Sequence, residues 1–243
     1  VRPATARERA RFLHLEPDAL RAPSPWAAPT DLGSDGSGLP AALARMARDE
    51  PDALDRVSTD VGRIVPGLVR VRVDRDEVRE EHSLTIEHAD GYELPARLVS
   101  DGTLRLVALA TMVHDPNVAG SVILEEPENG IYAGRIPELL DLLHGFVRAP
   151  NPRGKERQLL ANTHSIPLVQ AMRNRGLTES LLFASLKRVV RSDRPLHRAT
   201  MIAAVDPDTV QEPLFREGEG DRRRVAYQEM ERLLQTAPAP DLP

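Results

Sequence analysis

No cysteine occurs in the 243 residues. Disulfides, thiolate metal sites and cysteine nucleophiles are thereby excluded, and the chain suits a reducing cytoplasm, the compartment expected for it. Aromatic residues are scarce, with one Trp, three Tyr and four Phe, so the core must come from Leu, Val, Ile and Ala. No apolar run approaches the roughly 20 residues of a membrane span, and no membrane partner is expected. The first residues, Val1-Arg2-Pro3-Ala4, carry no signal-peptide apolar region. A strong charge imbalance is missing too: 32 Lys and Arg face 37 Asp and Glu, a formal net charge of −5. That exerts no global pull on nucleic acid.

A further absence concerns phosphate binding. The Walker A pattern G-x-x-x-x-G-K-[ST] has no match in the chain. Gly33-Ser34-Asp35-Gly36-Ser37-Gly38 has no following Lys, and Pro152-Arg153-Gly154-Lys155 is followed by Glu156 without the upstream Gly spacing. Both read as surface loops.

Periodicity divides what is present. Residues 22–40 are rich in Pro, Gly, Ser and Asp and read as a loop. Helices are expected over about Leu39 to Arg48 and Pro51 to Ile64, from apolar residues three and four apart. Strands are expected over Leu68 to Val73, Ser83 to His88 and Tyr92 to Val99, with Asp90-Gly91 as a hairpin turn. Thr103 to His114 is apolar nearly all round and suits a buried helix. Then come a strand at Val122 to Leu124, an amphipathic helix at Arg135 to Val147, a strand at Gln158 to Asn162 and a helix at Ile166 to Asn174. Strands near Leu181 to Val190 and Ala199 to Val205 follow, and Thr236 to Pro243 reads as a frayed tail. Strand–helix–strand–helix order in the middle implies a parallel sheet with crossover helices.

Three motifs carry chemistry. Ser100-Asp101-Gly102-Thr103 opens the buried helix. It reads as a plain N-cap, or as an anion site made by free N–H groups and the helix dipole. Glu125-Glu126 ends the apolar strand Ser121-Val122-Ile123-Leu124, a Walker B pattern. It reads as a solvated acidic loop, or as one carboxylate supporting Mg²⁺ beside another that orients the attacking water. His164, in Asn162-Thr163-His164-Ser165, is a structural histidine or one that reaches a γ-phosphate. Two basic clusters, Arg148 with Arg153, Lys155 and Arg157, and Arg222-Arg223-Arg224, read as solvated faces or as nucleic-acid contacts.

In this order the motifs resemble the C-terminal half of bacterial ABC/SMC-like AAA-family ATPases, a group that also resembles RecF. The resemblance rests on Leu98 to Arg105, Ile123 to Ile131 and Thr163-His164-Ser165, and His14 to Leu43 resembles the segment preceding that half. It implies an α/β fold of P-loop NTPase type, an ABC ATPase head lobe. That lobe has a mostly parallel sheet with crossover helices, an antiparallel β portion and an N-terminal helical arm. The implied domains are an arm and loop at 1–65, a core lobe at 66–205 and a C-terminal extension with a flexible tail at 206–243.

The same resemblance implies roles. Ser100, Asp101, Gly102 and Thr103 match the signature that contacts the γ-phosphate of ATP on the opposite subunit, with Arg105 a weaker candidate for coupling. Glu125 matches the Walker B carboxylate for Mg²⁺, Glu126 the catalytic glutamate, Glu128, Asn129 and Gly130 the D-loop, and His164 the switch histidine. The pattern departs from the family in its missing Walker A and Q-loop, in Tyr132 where His is common and in Ala133 where Pro is common.

The expectation is ATP binding and hydrolysis with Mg²⁺, completed by a Walker A-bearing lobe or subunit and by a homo- or heterodimer formed through ATP. On that view the chain is a fragment, or a partner chain supplies Walker A, and the chain alone is inactive. The alternative is a non-hydrolysing scaffold that lends its signature surface to a partner ATPase. A nuclease reading lacks further acidic ligands beside Glu125. DNA is a partner by analogy only, since relatives of this kind occur in DNA repair and phage defence.

Overall fold

The computed structural model describes residues 10–148, 156–191, 194–206, 224–226, 232 and 235. The chain divides into two compact units, 1–163 and 164–243.

The first unit is built on a three-stranded parallel sheet in the order β1 (Arg11–Leu13), β6 (Gly120–Glu125), β7 (Arg157–Asn162). Alternation in β6 buries Val122 and Leu124 on one face and leaves Glu125 exposed at the tip. The register runs Leu13–Leu124–Ala161 across the three strands. On the other face, Phe12 and Leu160 flank Ile123 and are 63% and 55% exposed.

A second sheet is antiparallel. β3 (Leu68–Asp76) pairs with β4 (Glu81–His88), and β2 (Ser24–Pro25) and β5 (Glu93–Pro95) pair with different stretches of β4. Arg72 on β3 binds Asp74, Glu87 on β4 and Glu93 on β5 at 2.7 to 2.9 Å.

Helices fill the space between. α2 (Leu39–Asp49) starts at Gly38, whose φ of 74° suits a residue without Cβ, and has Pro in its first turn. α3 (Ala53–Ile64) buries Val57, Val61 and Ile64, and its Ser58 hydroxyl accepts a hydrogen bond from the Val71 amide of β3. α4 (Asp101–His114) is buried on nearly every side, from Leu104 to Val113. α5 (Ile136–Arg148) crosses over from β6 to β7 and buries Leu139, Leu140, Leu142, Leu143 and Phe146. The short α1 (Pro17–Arg21) packs on α4.

The second unit contains α6 (Ile166–Asn174), an antiparallel hairpin of β8 (Leu182–Arg191) and β9 (Arg194–Asp206), and β10 (Arg224–Ala226) parallel to β9. No helix among the described residues is long and apolar enough to cross a membrane.

Mixed α/β architecture with a parallel sheet and crossover helices is therefore the fold. Three local expectations change. The strand expected over Tyr92 to Val99 is only Glu93–Pro95, because Pro95 lacks a ladder donor and Ala96–Leu98 winds into a 3₁₀ turn. β9 begins at Arg194 rather than near Ala199, because the hairpin carries the pairing back to Arg191 opposite Arg194. β1 was not anticipated. Three residues hold too little alternation to register, and only pairing with β6 makes them a strand. The loop carrying Pro152 to Lys155, the cationic members Arg153, Lys155, Arg222 and Arg223, and the tail from Thr236 lie outside the described residues. So does most of the 206–243 extension.

Candidate functional site

Strand β6 delivers its two carboxylates differently. Glu125 is the last strand residue, paired in register with Asn162. Glu126 leaves the strand with φ of 41°, in the left-handed region that non-glycine residues rarely occupy. Asn162 holds it there, because the Glu126 amide donates both to the Asn162 carbonyl at 3.2 Å and to its side-chain Oδ1 at 3.1 Å. A backbone held in a disfavoured region by two bonds is the kind of local strain that gathers at functional positions. The chain then turns tightly. The Asn129 amide donates to the Glu126 carbonyl, the Ile131 amide donates to the Glu128 carbonyl, and Gly130 takes φ of 78°. Glu128 accepts a hydrogen bond from the Thr163 hydroxyl. The end of β7 thus braces the acidic turn twice, through Asn162 and Thr163.

Glu125 has a partner that no motif predicted. His14, just beyond β1, places Nδ1 2.7 Å from Glu125 Oε2 and Nε2 2.9 Å from Glu16 Oε1. The contact joins residues 111 apart in sequence, and only the parallel pairing of β1 with β6 creates it. The Gly33–Gly38 loop supports the same segment: Ser34 and Asp35 carbonyls accept from the His14 and Glu16 amides at 2.8 Å. That loop is a bracket rather than a phosphate cradle. Asp35 accepts from the Ser37 amide, and hydrogen bonds from Ser37 hold its carboxyl below the usual range.

The start of α4 is brought to the same turn. Ser100 caps α4, its hydroxyl accepting from the Thr103 amide at 3.2 Å and lying 2.8 Å from the Thr103 hydroxyl. Gly102 is buried against the acidic turn, where a Cβ would stand 2.1 Å from the Gly130 carbonyl oxygen. Arg21, the last residue of α1, donates to the Val99 carbonyl at 3.2 Å and to the Asp101 carboxylate.

Ser100 to Thr103 and Glu125 to Gly130 therefore converge within the first unit. His164 opens the second unit and is exposed, and the following Ser165 caps α6 by accepting from the Leu168 amide. Arg157 leaves the basic cluster proposed for it. It donates to the carbonyls of Val113, Asp115 and Val118 at the end of α4 and lies 4.7 Å from the Phe146 ring centroid. Burial lowers its pKa, and the guanidinium is committed to the fold.

The donor set suits Mg²⁺ carried with a nucleotide. No group of three His, Cys, Asp or Glu among the described residues could cage a metal. A nucleotide-bound Mg²⁺ needs only one or two protein carboxylates, because waters and phosphates fill the remaining positions. Glu125 is half-exposed at a strand end, with Oε2 engaged by His14 and Oε1 without a hydrogen bond among the described residues.

Residues 12–170, well over half of the chain, match the family model described as "AAA domain, putative AbiEii toxin, Type IV TA system". The chain belongs to this AAA-domain family. The family is ATPase-type and nucleotide-binding. Solved structures similar to this AAA domain include one described for ATP-driven dimerisation and DNA-stimulated activation of SMC ATPases, at 11% identity and a TM-score of 0.41. That match covers 65% of this chain and 88% of the other. Another is the Pyrococcus furiosus Smc head with an extended coiled coil bound to the C-terminal domain of ScpA, at 12% and 0.42, covering 63% and 35%. A third is the Pyrococcus yayanosii Smc head with a coiled coil and joint, at 11% and 0.42, covering 68% and 28%. This AAA domain thus spans about a third or less of the two Pyrococcus chains. No curated protein matches the sequence.

Proposed function

We propose that this AAA domain is the Walker B and signature half of an ATP-hydrolysing site, completed by a Walker A-bearing lobe or subunit and by ATP-dependent dimerisation. The observation that carries the reading is the backbone of Glu126, fixed in a left-handed conformation by Asn162 beside Glu125.

In this reading Glu126 accepts a proton from the water that attacks the γ-phosphorus. The bond from that phosphorus to the β–γ bridging oxygen breaks, giving ADP and phosphate. Glu125 would hold Mg²⁺, which neutralises charge on the phosphates. The α4 N-terminus, with Ser100, Asp101, Gly102 and Thr103, faces the γ-phosphate of the nucleotide on the opposite subunit. Glu128 and Asn129 form the turn that follows Walker B, and His164 senses the γ-phosphate. The core lobe spans 66–205, with 1–65 as an arm that reaches back into the parallel sheet through β1. DNA remains a partner by analogy.

Two features support completion by another element. The chain contains no Walker A pattern. The face of the parallel sheet bearing Phe12 and Leu160 is apolar and exposed, whereas parallel sheets are ordinarily covered on both faces.

ATP turnover by this chain alone, and mixed with a Walker A-bearing partner, tests the proposal. Turnover only in the mixture supports it. Robust turnover by the chain alone refutes the half-site claim, and ATP-dependent association without turnover favours the scaffold alternative.

A further inference from the structure

The signature carries a charge that works against its assigned role. Asp101 occupies the first turn of α4, and its side chain is 56% exposed. A carboxylate there suits the helix dipole. It also repels any second anion brought to the same N–H groups, and a nucleotide's terminal phosphate is such an anion. The fold answers with Arg21, 80 residues earlier in sequence, whose guanidinium binds the Asp101 carboxylate and the Val99 carbonyl. Its other carboxylate neighbour, Asp18, is 3.9 Å away. The Arg21 side chain is 25% exposed, so it is mostly covered while its charge stays beside the helix start. The Val99 bond fixes the residue preceding the cap, and so the aim of the Ser100 hydroxyl and the Thr103 amide.

We infer that Arg21 is a positioning residue for the signature: it cancels the Asp101 charge and holds the Val99–Asp101 backbone so that a γ-phosphate can approach the α4 N-terminus. The inference rests on the reading of Ser100 to Thr103 as the phosphate-facing motif. An ordinary surface ion pair contributes little to stability. The effect of this one falls on nucleotide engagement, because its two charges sit where a third must arrive.

The experiment uses the chain assembled with its Walker A-bearing partner and measures KM and kcat for MgATP, together with MgATP-dependent association. Arg21→Ala leaves Asp101 unbalanced and raises KM about tenfold, the size expected for one unit charge a few ångströms away at a protein surface. The kcat changes by less than about twofold, and the defect shrinks as salt is raised. Asp101→Asn leaves Arg21 unbalanced and lowers KM by about threefold. Combining the two lowers KM from the Arg21→Ala value by about threefold or more, the remaining defect reflecting the lost Val99 contact. Arg21→Lys keeps the charge without the fork and gives an intermediate KM. Thermal unfolding of each variant separates these effects from loss of fold. An Arg21→Ala defect that Asp101→Asn does not rescue makes Arg21 a strut only and overturns the inference, as does an unchanged KM. If the starting assembly shows no MgATP-dependent association or turnover, the signature reading falls and this inference falls with it. Normal turnover with KM insensitive to both charges overturns this inference alone.

Discussion

Gly102 and Gly130 meet backbone to backbone, so that the first turn of α4 rests on the turn that follows the two carboxylates. A Cβ on Gly102 would stand 2.1 Å from the Gly130 carbonyl oxygen, and Gly130 itself takes φ of 78°. A side chain at Gly102 forces the two turns apart, and one at Gly130 is strained by its left-handed backbone. Gly102→Ala is expected to destabilise the protein by about 1–3 kcal/mol through overpacking against backbone. It also spreads α4 from the acidic turn and lowers turnover of the assembled site. Urea denaturation and ATP turnover check both parts, and a variant unchanged in each shows that the contact is not required.

His14 bridges Glu125 and Glu16. Groups that orient a metal-binding carboxylate typically change metal affinity by about 10–100-fold. His14→Ala is expected to raise the Mg²⁺ concentration for half-maximal turnover at least about tenfold at fixed pH. Maximal turnover at saturating Mg²⁺ falls less. A Mg²⁺ titration identical to that of the unsubstituted assembly removes His14 from the site.

Arg45 and Asp115 form a buried ion pair at the end of α4, 2.5 Å apart, with side chains 6% and 2% exposed. Arg45 also donates to the Thr30 carbonyl. Arg45→Met leaves the Asp115 charge buried without its partner and is expected to cost about 3–5 kcal/mol. The midpoint of urea denaturation measures it, and a loss below about 1 kcal/mol shows that Asp115 finds other compensation.

Legibility followed the length of the signal. α4, β6 and α6 stand out because long apolar runs and capping residues such as Ser100 and Ser165 are local. The contact of Ser100–Thr103 with Glu125–Gly130 inside one chain was not expected, because the resemblance turns the first motif toward the opposite subunit, and the glycine contact that creates it leaves no mark in either motif. His14 and Arg21 were invisible. Each acts on a residue about 80 to 110 positions away, and the strand that places His14 is three residues long. Arg157 was misread as part of a basic surface, because its role depends on the carbonyls that end α4.

His82 supplies a pH dependence. Burial lowers its pKa, and the nearby Arg75 lowers it further. Its Nδ1 has no hydrogen-bond partner among the described residues, and the Trp26 ring lies 6.4 Å away. In the unfolded chain a histidine titrates near about 6.5. Below that pH the unfolded state takes up a proton that the folded state resists, so this contribution is complete above about pH 6.5 and is lost as pH falls toward the folded value. His82→Gln is expected to flatten the stability profile below about pH 6.5. Denaturation midpoints across that range test it, and parallel profiles for the two proteins contradict it.

Glu126→Gln puts the central claim to its most direct test. The substitution keeps the size and backbone of the residue but removes its capacity to accept a proton from water. Release of phosphate from MgATP is to be followed in the chain mixed with a Walker A-bearing partner, as the proposal requires, alongside MgATP-dependent association. The account predicts that phosphate release falls by about a hundredfold or more while association persists. Undiminished phosphate release by the Glu126→Gln assembly would contradict it.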